Sequence, residues 1–328
     1  MPAPYQLHTT RPYLTNRTYR ENAEALVDLQ GGLVHACLDD LVIALYVTID
    51  DLLGPRLGPG RPPKLSDAEL VCLAVAQVLL GARSERHWLR FASDRLGHLF
   101  PYLPAQAGYN KRLRAAGHHL SLAIRHLAMA APSWCDGFRL LDATALPCGQ
   151  SRETVKRSAL WGHAAYGYDR SHSRWYWGFK LYLLTAPDGM PITWCLATPK
   201  LGEREVAEAL LDDAARQHAL AAGTIILADK GFAGRAFERH LGALGAGLIR
   251  PDRKDEPRRF GSLGGMRQWI ESVINTLKDQ LGLEQHHGRT LGGVFVRVGQ
   301  RLLALAAAIW CNWQLQVQDK RSLLAYDH

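Results

Sequence analysis

Cysteine is sparse in this 328-residue chain, and Cys37, Cys72, Cys135, Cys148, Cys195 and Cys311 stand apart with no C-x-x-C pair among them. Such spacing indicates neither a zinc site nor a disulfide framework, and a reducing cytoplasm is its simplest setting. An apolar signal core is missing from the N-terminus, MPAPYQLHTTRPYL. The longest apolar run, residues 302–310, falls well short of the roughly 18 residues a membrane span needs. A soluble protein with no membrane partner is expected. Acid is in deficit too: 31 Asp and Glu face 39 Lys and Arg, a formal charge of +8. That balance favours a polyanion such as nucleic acid over a small neutral substrate.

What the chain has in quantity is core-forming material. With 47% hydrophobic and 9% aromatic residues it can build one large or two ordinary domains. Apolar positions Leu38, Leu41, Val42, Leu45, Ile49 and Leu52 recur at helical spacing until Gly54-Pro55 stops them. Gly and Pro are then so dense over 54–64 that the segment reads as a linker. Ser66-Asp67-Ala68-Glu69 is a capping box that launches a helix over 70–80. Segments 84–92 and 109–129 also read as helical. Residues 1–130 therefore form an all-helical N-terminal region. Its span 83–125 carries Arg83, Arg86, Arg90, Arg95, Lys111, Arg112, Arg114 and Arg125 against Glu85 and Asp94. A basic face of this kind suits docking on DNA phosphates, and on charge alone it suits a solvated surface equally well.

After Pro132 the texture changes. FRLLDATALP (138–147), RWYWGFKLYLLT (174–185) and PITWCLAT (191–198) read as strands, with Pro187-Asp188-Gly189 turning the chain between the last two. A helix over 203–220, a strand TIILAD, a helix over 234–244 and a short strand over 246–250 follow. Three strands, helix, strand, helix, strand, helix is the order of a ribonuclease H-like α/β fold, a mixed five-stranded sheet flanked by helices, here over 131–328. In that order the first and fourth strands are parallel neighbours, so Asp142 in the first and Asp229 at the end of the fourth meet. Glu271, on the apolar C-terminal helix MRQWIESVINTLKDQLG, is the candidate third acid. Three converging carboxylates repel one another unless cations neutralise them, and hard oxygen ligands suit two Mg²⁺ or Mn²⁺ ions acting on a phosphodiester.

These motifs resemble the DDE transposases of bacterial insertion sequences, in the broad superfamily of elements four and five and most nearly the nine-eighty-two group. The resemblance rests on LLDATAL around Asp142, LADKGFAG around Asp229, WGFKLYL at 177–183, IRPDRK at 249–254, and Arg267-x₃-Glu271-x₆-Lys278. The tyrosine of the family's Tyr-Arg-Glu-Lys signature falls on Gly264. The resemblance implies binding to the terminal inverted repeats, cleavage at the element's ends and joining of the freed 3′-hydroxyls to target DNA. It also implies a homodimer that brings two ends together, and a cytoplasmic, nucleoid-associated site of action. Asp142, Asp229 and Glu271 would be both catalytic and metal-ligating, with Arg267 and Lys278 on phosphates near the reacting bond. Lys180, Lys230, Arg152, Lys156, Arg157, Arg61, Arg112 and Arg114 are the further candidate DNA contacts. A ribonuclease H-like nuclease without strand transfer, and a silent DNA-binding relative, remain alternatives. Trp161, Trp175 and Trp177 serve either stacking on unpaired bases or the core, and His286-His287 read as exposed loop residues.

Overall fold

The computed structural model describes residues 37–55, 63–149, 151–169, 173–253, 256–257, 259 and 263–327. The Gly/Pro stretch 56–62, Arg61 within it, and His172 lie outside the described residues. Five helices open the fold: α1 (Leu38–Leu53), α2 (Asp67–Leu79), α3 (Glu85–Leu96), α4 (Gln106–Ala115) and α5 (Gly117–Ala130). The capping box forms as the sequence implies. Glu69 N–H donates to Ser66 Oγ at 3.0 Å and Ser66 N–H to Glu69 Oε2 at 2.5 Å. The expected single helix over 109–129 is two, broken at Ala116. Gly117, a weak helix former, starts the second where the chain runs close against Phe295 and Val296.

The rest is a mixed sheet with helices on both faces. Its strands are β1 (Phe138–Gly149), β2 (Ala165–Asp169), β3 (Arg174–Thr185), β4 (Pro191–Ala197), β5 (Ile225–Ala228) and β6 (Gly247–Ile249). β1 pairs antiparallel with β3 and parallel with β5, and β5 pairs parallel with β6. The far edge of β3 is shared, residues 174–178 taking β2 and residues 180–185 taking β4. The sheet is thus five positions wide but holds six strands. β2, centred on a glycine in AYGYD, carries too little apolar alternation to be read from sequence.

Helix α6 (Arg152–Lys156) follows β1, α7 (Glu203–Arg216) follows β4, and α8 (Arg235–Ala243) joins β5 to β6. Helix α9 (Gly264–Asn275) packs on β1 and β5 and runs into a π-helical turn, Thr276–Gln280. Helix α10 (Leu291–Gln314) closes the fold. It is long and apolar enough to cross a membrane by length and composition. It is nevertheless a core helix, 89% of its most apolar stretch lying inside the fold. It packs on α2 and α5 as well as on β4, so the helical region and the sheet share one connected core.

Candidate active site

The register places the first two acids together. Leu141 pairs with Ala228 across the parallel β1–β5 ladder. Asp142 and Asp229, one residue further along each strand, therefore stand side by side on one face of the sheet. Asp142 is partly buried, and burial pushes its carboxyl up to about 7. The Ala143 N–H, donating to Asp142 Oδ1 at 2.7 Å, opposes the rise; the charge of Asp229 adds to it, Lys278 pulls it down and Glu203 pushes it up. Asp229 itself is exposed and starts a 3₁₀ turn, Lys230–Phe232.

Glycine in LADKGFAG answers to close packing. A Cβ on Gly231 would come within 3.1 Å of Glu203 Oε2, and one on Gly234 within 2.8 Å of Arg204 Nη1. Arg204 and Arg253 both donate to the Ala233 carbonyl, at 2.5 and 3.2 Å, while Phe232 is buried against Phe237. The turn after Asp229 is thereby fixed from both sides of the sheet edge.

Glu271 lies on α9, whose buried stripe of Ile270, Val273 and Ile274 continues to Leu277 in the π-helical turn. At about 100° per residue, positions 269 and 271 fall on opposite flanks of that stripe, which accounts for an exposed Trp269 as well as an exposed Glu271. Ideal helical geometry sets Arg267, Glu271 and Lys278 along the same flank, although the π-turn widens the last turn before Lys278. The side chain of Arg267 lies outside the described residues. Lys278 is close to buried and pairs with Glu284 at 3.1 Å; Glu284 also takes Arg174 at 2.9 Å. Burial pushes Glu284 up, but the hydrogen bonds from Arg174 and Lys278 outweigh it and hold its carboxyl below the usual range.

The remaining candidate cations divide by environment. Lys180 is half-buried and pairs with Glu203, and Arg112 is tied to the Leu65 and Ser66 carbonyls and to Asp67. Arg114, Arg152, Lys156, Arg157 and Lys230 are exposed, with Lys156 paired to Glu153 at 3.1 Å. The reading of His286 as an exposed loop residue is overturned. His286 is buried, its Nε2 faces the Pro147 carbonyl at 3.2 Å, and its Nδ1 accepts from Gly288 N–H. Burial lowers it to about 4, so the ring is neutral near pH 7. His287 beside it is exposed.

Two acids at this edge escaped the sequence reading, Glu203 and Glu284. The signal for Glu203 was topological: β4 runs parallel to β1, so the loop after it opens on the edge that carries Asp142 and Asp229. Asp142 and Asp229 suit a divalent cation, being hard oxygen donors of which one is held toward its neutral form by burial and by its neighbour. Among the described residues no three His, Cys, Asp or Glu side chains are already gathered around one metal position.

A ribonuclease H-like sheet that sets one acid within a strand beside another just past the end of its parallel neighbour is the frame of a class of phosphodiester-processing proteins. Within that class, the family of the transposase DDE domain matches residues 133–307, more than half of the chain. The protein belongs to this family of DNA-transposing enzymes, whose members typically use divalent metal ions. No curated protein matches the chain. Among solved structures, the Mos1 strand transfer complex is similar at 13% identity, over 87% of this chain and 90% of that one, with a TM-score of 0.24. The Mos1 transposase paired-end complex with left transposon end is similar at 15% identity, over 93% and 94%, with a TM-score of 0.23. Likeness at that level carries no argument about this site.

Proposed function

We propose that the protein is the transposase of an insertion sequence, which binds the terminal inverted repeats, cuts at the element's ends and joins the 3′-hydroxyls to target DNA. The reading is supported above all by Asp142 and Asp229 standing side by side where the parallel pairing of β1 and β5 ends, inside the span that matches the family. Asp142, Asp229 and Glu271 are the residues that would hold two Mg²⁺ or Mn²⁺ ions. Such ions, when bound, would supply activation of the attacking oxygen and stabilisation of the leaving one.

The chain's own groups do the positioning. Lys278, steadied by Glu284, offers its ammonium to a phosphate beside Asp142. Arg267 stands one turn before Glu271 and serves a neighbouring phosphate. Exposed Lys230, Arg152, Lys156 and Arg157 extend the basic track, and Lys180 supports the site through Glu203. Residues 1–130, with Arg61, Arg112 and Arg114, are the DNA-docking region and 131–328 the catalytic one. A homodimer acting in the cytoplasm on nucleoid DNA brings the two ends together.

The test uses a plasmid carrying the DNA that flanks the coding sequence, with Mg²⁺ or Mn²⁺. Asp142→Asn, Asp229→Asn and Glu271→Gln each bring end cleavage to background while end binding stays within about threefold of wild type. Cleavage retained by any one variant removes that residue from the site. Pre-cleaved ends that fail to join a target plasmid would reduce the protein to a nuclease.

A further inference from the structure

The β2–β3 hairpin exposes aromatic rings that no part of the described fold covers. Tyr168 lies opposite Trp175 and Tyr166 opposite Trp177 on one face of the hairpin. Trp175 is 72% exposed, Tyr166 45% and Tyr168 44%, and the Tyr168 and Trp175 rings are 5.3 Å apart. On the turn that joins α6 to β2, Trp161 is 73% exposed. Trp177 alone of this row is buried; a Cβ on Gly149 would meet its ring at 3.0 Å and Val155 of α6 at 3.4 Å. Helix α6 therefore abuts the aromatic row, and it brings exposed Arg152, Lys156 and Arg157 beside it.

Alternation along β3 relates this row to the acids. Leu183 is the partner of Asp142 across β1–β3, so the odd-numbered positions of β3, Trp175 and Trp177 among them, share the sheet face of Asp142. The hairpin is tied to the site a second time through Arg174, Glu284 and Lys278. Large exposed rings beside a cluster of cations fit nucleotides whose bases are unstacked, because every base has a π-face and every nucleotide a phosphate. Paired bases within a duplex present no free face to such rings.

We propose that the β2–β3 hairpin and α6 form a stacking platform for unpaired DNA bases, holding a frayed or single-stranded segment on the sheet face that carries Asp142 and Asp229. The proposal rests on DNA being the partner. It adds the state of that DNA, and it needs no catalysis to be tested.

The full-length protein is titrated by fluorescence anisotropy with a blunt duplex oligonucleotide and with the same duplex bearing an unpaired tail of about 8 nucleotides, a length within one single-strand site. Trp175→Ala and Tyr168→Ala should each weaken tailed-duplex binding about tenfold and leave blunt-duplex binding within about twofold; Trp175→Phe should restore it, since a phenyl ring still stacks. Lys156→Ala should weaken both substrates and lessen their salt dependence. If Trp175→Ala weakens both substrates equally, or neither, the platform is overturned while the DNA reading stands. A wild-type protein that binds neither substrate overturns both. Should light scattering show that Trp175→Ala dissolves a dimer, the rings belong to a contact with a second copy and the platform is likewise overturned. Unchanged circular dichroism confirms that these surface variants are folded.

Discussion

Asp142 and Asp229 stand one step beyond the last paired residues of two parallel strands, and the charge on Asp229 joins burial in raising Asp142 to about 7. An acid whose folded value lies above its unfolded one, near 3.9, makes the fold less stable as pH climbs between the two, because the unfolded chain has already released a proton that the folded one keeps. Below pH 4 the two states are alike; above pH 7 the folded state carries the whole cost of an ionised, crowded carboxylate. For a partly solvated group that cost is on the order of 1–2 kcal/mol, or about 1.5–3 °C in Tm for a chain of this length that unfolds as one unit. A bound divalent cation reverses it. Millimolar Mg²⁺ or Mn²⁺ should therefore raise Tm at pH 8 and barely change it at pH 5, and the gain at pH 8 should vanish in Asp142→Asn. An equal rise at both pH values would mean that the cation acts elsewhere.

Two glycines should respond differently to the same added methyl. A Cβ on Gly178 would lie 2.1 Å from the Leu146 carbonyl oxygen and 3.0 Å from Cys148 N, at the irregularity where β1 shifts register against β3. Both obstacles are backbone, so Gly178→Ala must displace a strand and should cost more than about 2 kcal/mol. At Gly231 the obstacle is the end of a flexible side chain, Glu203 Oε2. Gly231→Ala should thus leave the chemical-denaturation midpoint almost unchanged while disturbing Glu203, its pairing with Lys180 and DNA cleavage. Loss of stability at position 231 as large as that at 178 would show that the turn itself, and not Glu203, requires the glycine.

Much of this edge was legible beforehand because it depends on features with strong local signals. LLDATAL and TIILAD are apolar runs interrupted by an acid, and the order of elements dictates that they pair in parallel. The two lesser acids were hidden for different reasons. Glu203 opens an ordinary amphipathic helix and gains significance only from the direction of β4; Glu284 lies in a 3₁₀ turn with no pattern of its own, and its contacts to Arg174 and Lys278 span 110 and 6 positions. His286 gives no such signal: a histidine pair flanked by Gln285 and Gly288 looks polar, whereas the turn packs its ring against the Pro147 carbonyl of β1. The break at Ala116 falls where Gly117, a weak helix former, opens α5 beside Phe295 and Val296 of α10, a contact with no trace in the helical periodicity.

Helical region and sheet should unfold as one. Glu85 on α3 pairs with Arg297 on α10, and its two carboxylate oxygens also accept from Asn110 Nδ2, at 2.8 and 2.9 Å. Arg297 donates onward to Gln300 at 3.1 Å, and Gln300 reaches the Ala74 carbonyl and Gln77, which also accepts from Tyr109. Burial already lowers the Arg297 guanidinium from its ordinary value, so removing its carboxylate leaves a desolvated cation unpaired. Glu85→Ala should cost about 3–5 kcal/mol, whereas Glu85→Leu combined with Arg297→Leu should cost clearly less than the sum of the single changes, since each single change strands a charge that the pair of changes removes. Because the pair bridges α3 and the helix packed on the sheet, the loss should shift a single transition seen alike in far-ultraviolet circular dichroism and in tryptophan fluorescence. A separate early loss of helical signal, with the sheet tryptophans unmoved, would instead make the first 130 residues an independently melting unit.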